Sequence, residues 1–172
     1  MTVEMVLSVI ATDRPGLVRT LAEAVAAHDG NWIDSSMARL GGEFAGIVRV
    51  ALPDGAVAPL EGALAGLAQQ GITVVARRSQ GAPPPTRAAT LELTCADTPG
   101  IVREIAAALA EKGVSIDELE TSLFEGSMSG QPLFSARARL ALPEGLDADV
   151  LRETFEAIGQ DIMAEIVLRD IE

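Results

Sequence analysis

Residues 11–28 (ATDRPGLVRTLAEAVAAH) and 95–112 (CADTPGIVREIAAALAEK) align without a gap at an offset of 84, and eight of the 18 positions are identical. The identities include the turn formers Asp13/Asp97, Pro15/Pro99 and Gly16/Gly100 as well as Val18/Val102 and Arg19/Arg103. Shared helical periodicity would repeat apolar positions but not an Asp-x-Pro-Gly turn, so a whole folding unit is duplicated. Removing one residue carries the match on: Gly30-Asn-Trp-Ile-Asp34 falls on Gly113-Val-Ser-Ile-Asp117, which pairs Trp32 with Ser115. After an insertion in the second copy, Ala51-Leu-Pro53 and Gly55 fall on Ala141-Leu-Pro143 and Gly145. A length of 172 residues allows one domain or two. The repeat predicts two, residues 1–80 and 88–172, joined by residues 81–87, whose Pro83-Pro84-Pro85 favours an extended, semi-rigid spacer.

Each copy reads alike. Residues 3–11 are apolar and β-branched enough for a buried strand, and residues 88–96 alternate as their counterpart. The Pro-Gly pair opens a helix, because a missing N–H costs nothing in the first turn. Leu17, Leu21 and Val25, like Ile101, Ile105 and Leu109, then recur at helical spacing, and Gly30 and Gly113 end the two helices. Hairpins follow over 31–52, turning at Gly41-Gly42, and over 114–142, turning within 126–132. A second helix carries Leu60, Leu64 and Leu67 in copy one and Val150, Leu151, Phe155 and Ile158 in copy two. The last strands are expected at 72–79 and 162–168. The order strand, helix, strand, strand, helix, strand, twice over, predicts an α+β chain of two ferredoxin-like βαββαβ units, each an antiparallel four-stranded sheet with two helices on one face.

Composition removes several chemistries. One cysteine, Cys95, and one histidine, His28, leave no disulfide framework and no Cys/His metal site within a chain, so neither a metal nor any other cofactor is expected. No apolar stretch approaches the roughly 20 residues of a membrane helix, and the N-terminus has no basic leader, so a cytoplasmic protein without membrane contact is expected. The formal charge of -12 argues against direct nucleic-acid contact, since phosphate neutralisation supplies most non-specific affinity. The acid is uneven: residues 1–80 carry 6 basic and 8 acidic side chains, and residues 81–172 carry 7 and 17. A basic partner surface is expected to prefer the second copy.

The chemistry-bearing feature is the turn at 13–16 and 97–100. A helix N-terminus offers free N–H groups and the positive end of the dipole to a carboxylate or phosphate. Gly16 and Gly100 would admit such a group to the backbone, and Asp13 or Asp97 would receive an ammonium. The alternative is a structural turn in which Asp or Thr caps the helix. His28 is expected as a cation near a helix C-terminus, Cys95 as a small buried hydrophobe, and Phe44 and Phe134 as core.

The Asp13-Arg-Pro-Gly-Leu-Val18 turn, Asn31-Trp-Ile-Asp-Ser35 and Leu40-Gly-Gly-Glu-Phe44, set in a duplicated βαββαβ frame, resemble the ACT domain over nearly the whole chain. The extended second hairpin, Ser129-Gly-Gln-Pro-Leu-Phe134, resembles that of tandem-ACT regulators. The resemblance implies a non-enzymatic regulatory module that binds a small effector, usually an amino acid, at interfaces between paired ACT units. Carried over by position, it nominates Asp13, Arg14, Gly16 and Leu17 with Asn31 and Trp32, and Asp97, Thr98, Gly100 and Ile101 with Ser115. Where such domains often place Asn at the start of the second strand, this chain has Trp32 or Ser115, so either the indole fills the first pocket or the neighbouring Asn31 serves there, and copy two, with the small Ser115 and Thr98, is expected to be the better site.

Three functions are therefore weighed. The first is a sensor of an amino acid such as glycine that signals to a protein partner, with a homodimer as one arrangement, and acts on transcription without touching DNA. The second is an interaction scaffold with vestigial pockets. The third is a small hydrolase such as an acylphosphatase, for which Arg14 and Asn31 are the only nearby Arg and Asn.

Overall fold

The computed structural model describes residues 1–81, 87–127 and 130–171. The proline run of the spacer and Ser129 of the second hairpin lie outside the described residues. The chain divides into two compact units, Met1–Ala82 and Pro83–Glu172.

Unit 1 contains β1 (Thr2–Thr12), α1 (Leu17–Ala26), β2 (Asn31–Leu40), β3 (Glu43–Pro53), α2 (Val57–Gly66) and β4 (Ile72–Arg78). Unit 2 contains β5 (Arg87–Ala96), α3 (Ile101–Glu111), β6 (Ser115–Glu125), β7 (Pro132–Leu142), α4 (Ala148–Ile162) and β8 (Glu165–Ile171). The sheets are antiparallel with orders β2-β3-β1-β4 and β6-β7-β5-β8, which is the predicted ferredoxin-like arrangement twice over.

Alternation decides which sheet face meets the helices. Met5, Leu7, Val9 and Ala11 are buried on β1 and pack with Val48, Val50 and Leu52 of β3, Leu21 of α1 and Leu60 and Leu64 of α2. Their partners in the second core are Ala89, Leu91, Leu93 and Cys95 with Leu140, Leu142, Ile105, Leu151 and Phe155. The apolar run of residues 3–11 does not make β1 a strand buried on both faces, because Ile10 is 50% exposed. On α4 the apolar face is Leu151 and Phe155, whereas Val150 points to solvent. Phe44 and Phe134 are half-buried at the margin of each core.

Several boundaries differ from the sequence expectation. α1 and α3 start after the Pro-Gly pair, with Gly16 (φ 92°) and Gly100 (φ 96°) as the N-cap residues. The left-handed residue after α1 is Asp29 (φ 55°), and its counterpart after α3 is Gly113 (φ 70°). Gly30 N–H then donates to Val25 O, as Val114 N–H donates to Leu109 O. Gly30 therefore corresponds to Val114, and the offset of 84 continues with no residue removed. Register agrees: Asn31 and Ser115 face Ala51 and Ala141, and both edge strands shift register one residue later, at Trp32/Asp34 and Ile116/Glu118. Trp32 thus stands where Ile116 stands, and Asn31 where Ser115 stands. Finally, α4 runs on to Ile162 and ends at left-handed Met163, with Ala164 N–H on Gly159 O, so the last strand starts at Glu165 and not at 162.

Candidate functional site

In unit 1 the β1–α1 turn lies beside the tip of the β2–β3 hairpin. Gly41 and Gly42, both at positive φ (59° and 86°), form the two-residue turn that such a tight hairpin demands, and Asp13 N–H donates to Gly42 O at 2.9 Å. Together they bound a cleft of about 530 Å³ that reaches from Asp13, Arg14 and Gly16 to Arg39 and Phe44.

Charge inside this cleft is paired. The Asp13 carboxylate accepts a 2.9 Å ion pair from Arg39 Nε and is only 26% exposed. Arg14 donates to the Gln70 carbonyl, which ties the turn to the segment before β4. Arg19 is held by Glu23 one helical turn on, at 2.7 Å. The first turn of α1 has no side-chain cap, and neither has that of α3, so the expected Asp or Thr cap is absent from both helices. A Cβ built at Gly16 meets nothing within 4 Å, so the constraint there is the positive φ, and the backbone stays open to approach.

The turn of unit 2 has the same backbone and different side chains. Asp97 N–H donates to Pro132 O at 3.2 Å, Thr98 replaces Arg14, and Thr98 Oγ1 donates to Ala96 O. Leu123 occupies the position of Arg39, as their pairing with Phe134 and Phe44 shows, so the Asp13–Arg39 pair has no counterpart.

The nominated residues do not all meet within one unit. Asp13, Arg14, Gly16 and Leu17 share the cleft, although Leu17, like Ile101, is 4% exposed and offers its backbone N–H and not its side chain. Asn31 and Trp32 lie at the far end of the sheet: they face Ala51 and Val50, which face Glu4 and Met5. At about 3.3 Å per residue, that is over 20 Å from the turn after Thr12. Trp32 therefore does not fill the turn cleft. Ser115 is equally remote from Gly100, and Arg14 and Asn31, the pair a phosphohydrolase would need, are separated. Beside Val18, Arg19 and Phe44, the lining residues outside the nominated set are Met37, Ala38 and Arg39, which come from the end of β2. Their signal was topological: the end of β2 must return past the turn that follows β1.

Two singular residues lie where the sequence places them. His28 Nδ1 donates to Ala24 O at 2.8 Å, near the end of α1. Cys95 is buried, and burial pushes its thiol pKa up, with the Asp97 charge adding to the effect. Among the described residues, no helix is long and apolar enough to cross a membrane.

Comparison with known proteins places this geometry. The chain is 26% identical over 166 residues to the glycine cleavage system transcriptional repressor of Escherichia coli K12, covering 94% of this chain and 86% of that protein. A crystal structure of a protein of unknown function from Galdieria sulphuraria matches it at 32% identity and a TM-score of 0.85, covering 100% of both chains. A structure assigned as a glycine cleavage system transcriptional repressor matches the fold at a TM-score of 0.75 and 22% identity, over 100% of this chain and 99% of that one. The ACT domain pattern matches residues 4–76 and again residues 89–131, more than half of the sequence. With its two sheets in the same strand order and its two glycine-capped turns, the chain belongs to the ACT-domain family.

Proposed function

We propose that the chain is a non-enzymatic cytoplasmic regulator that binds an amino acid, with glycine as the first candidate, and conveys its presence to a protein partner. The observation that carries this reading is the cleft at Asp13, Gly16 and Arg39. Uncapped N–H groups and Arg39 suit a carboxylate, and Asp13 suits an ammonium, so the cleft matches both charged ends of a zwitterion. The start of β2 completes the site when the β2 edge of another ACT unit, from a second copy of the chain, runs antiparallel to it. Antiparallel edges bring the beginning of one strand to the end of the other, which reunites Asn31 with the turn. The kinship with the E. coli repressor supports an outlet in transcription, and the charge of -12 supports one through a protein and not through DNA contact. A ligand switches such a protein only by binding one arrangement of the paired units more tightly than another.

Calorimetric titration of the folded chain with the twenty amino acids tests the reading. Binding is expected for a small subset, together with a loss of about tenfold in affinity for Asp13→Asn. Absence of binding at millimolar concentration removes the sensor and leaves the interaction scaffold. The scaffold reading has its own support in β6, whose eleven residues are all exposed along a free sheet edge.

A further inference from the structure

The sheet of unit 1 turns one face to its helices and carries apolar side chains on the other. Register sets the residues of that outer face in rows across the four strands. The central row is Ser36, Ile47, Ser8 and Val75, in the strand order β2-β3-β1-β4. Ile47 and Val75, with Ile10 one row away, are each about half exposed, so three adjacent strands hold apolar area in water that contact with an apolar partner would bury. Charge lies at the end of the face, where Asp34, Arg49 and Arg77 form the next row with Val6. An apolar centre with a polar rim is the anatomy of a docking surface.

The face complements itself. Its central row alternates small and large, and a two-fold axis along the strands, between β3 and β1, reverses the row in a second copy. Ile47 then lies over Ser8 of the second copy and Val75 over its Ser36, so each projecting side chain meets a recess. One row away Ile10 lies over Ala45, and one row the other way Arg77 lies over Asp34. Arg77 makes no ion pair among the described residues, and the exposed Asp34 carboxylate, held by Arg49 at 2.7 Å, has lone pairs for a second donor. Aligned sheets cross at about 30°, which displaces the neighbouring rows by roughly 4 Å, less than one strand spacing, and leaves the central row in place.

The duplication says which face is the partner. In unit 2 the counterparts of Ser8 and Ile47 are Glu92 and Arg137, an ion pair at 2.7 Å. Seating Ile47 and Val75 on that face would take charges out of water for no new partner, a cost that a second unit 1 does not carry. Four strands of about eight residues span roughly 500 Å² of sheet, so two copies bury about 1,000 Å² together, the lower bound for a specific interface and the size of a weak dimer.

We propose that the outer sheet face of unit 1 docks on the same face of a second copy of the chain, about a two-fold axis along the strands. This contact is separate from pairing through the β2 edge, because Val75 belongs to β4 at the opposite edge. Sedimentation velocity of the full chain across a concentration series tests it, with the methyl resonances of Ile10, Ile47 and Val75 followed over the same series. The mass is expected to rise toward that of a dimer and those methyls to shift with it, while the methyls of Val167, the counterpart of Val75, stay in place. Val75→Lys buries an unpaired ammonium and is expected to weaken the association about tenfold or more. Ser8→Arg fills the recess beneath Ile47 and should act in the same direction; both positions are exposed, so neither change disturbs the core. Association that survives both variants overturns the proposal. A rise in mass with the Val75 methyls unmoved, the result of edge pairing alone, overturns it too, as does movement of Val167 together with Val75, which makes unit 2 the occupant.

Discussion

Matched strand for strand, the two units differ most on the sheet face turned away from the helices. Unit 1 places Ile10, Ile47 and Val75 on three adjacent strands there, each about half exposed. Their counterparts in unit 2 are Thr94, Arg137 and Val167, and Ser8 between them becomes Glu92. Glu92 accepts from Arg137 at 2.7 Å and lies 3.5 Å from Arg169, while Glu118 pairs with Arg139 at 2.9 Å. Among the described residues, only the Glu118–Arg139 pair has a forerunner in unit 1, where Arg49 grips Asp34 through two hydrogen bonds. Exposed pairs of this kind contribute about 0–1 kcal/mol each, so the network of unit 2 changes what the face attracts more than how firmly the unit folds. The helix-facing positions are apolar in both units, because there a substitution is felt as a lost or crowded contact. Duplication has kept the core and released the surface.

The comparison can be broken most severely at Gly46. A Cβ there would overlap Ser36 O, a backbone atom that no rotamer change can move, whereas unit 2 carries Ala136 at the equivalent place. Gly46→Ala should destabilise unit 1 by about 1–3 kcal/mol or more in chemical denaturation, and Ala136→Gly should cost unit 2 less. Equal costs would show that the two hairpins coil alike. Next in size, Trp32→Ala should cost unit 1 about 2 kcal/mol, because the indole packs against the first core, and Ile116→Ala should cost unit 2 less, since the isoleucine borders an apolar cavity of about 60 Å³. The smallest effect is the pH dependence of Glu92. The Arg137 hydrogen bond holds its carboxyl below the usual carboxylate range. A folded pKa below the unfolded one gives stability that is present above the unfolded value and is lost as pH falls through the folded one. Wild type should therefore exceed Glu92→Gln in denaturation midpoint at neutral pH and converge with it in acid.

The repeat, the strand order and the helix faces could be read from the sequence because each rests on local patterns: alternation, helical spacing and paired turn residues. The one-residue slip between Gly30 and Gly113 arises where glycine identity and helix-end geometry disagree. Asp29 tolerates the left-handed conformation that Gly113 adopts freely, so the equivalent residues do not look alike. The cleft at Asp13 was half legible. Its turn is local, but Arg39 joins it only through the hairpin register, and the distance of Asn31 from it follows from sheet topology. The apolar outer face of unit 1 had no sequence signal, because Ile10, Ile47 and Val75 come from three strands that only the sheet register sets side by side.

Cys95 has a practical consequence. It is the only cysteine among 172 residues, is 4% exposed, and burial pushes its thiol pKa up, which disfavours the reactive thiolate. The wild-type chain should be silent toward maleimides. A cysteine introduced on either surface could then carry a fluorophore at a defined position without first removing the native one, and the two units could be tagged and followed separately.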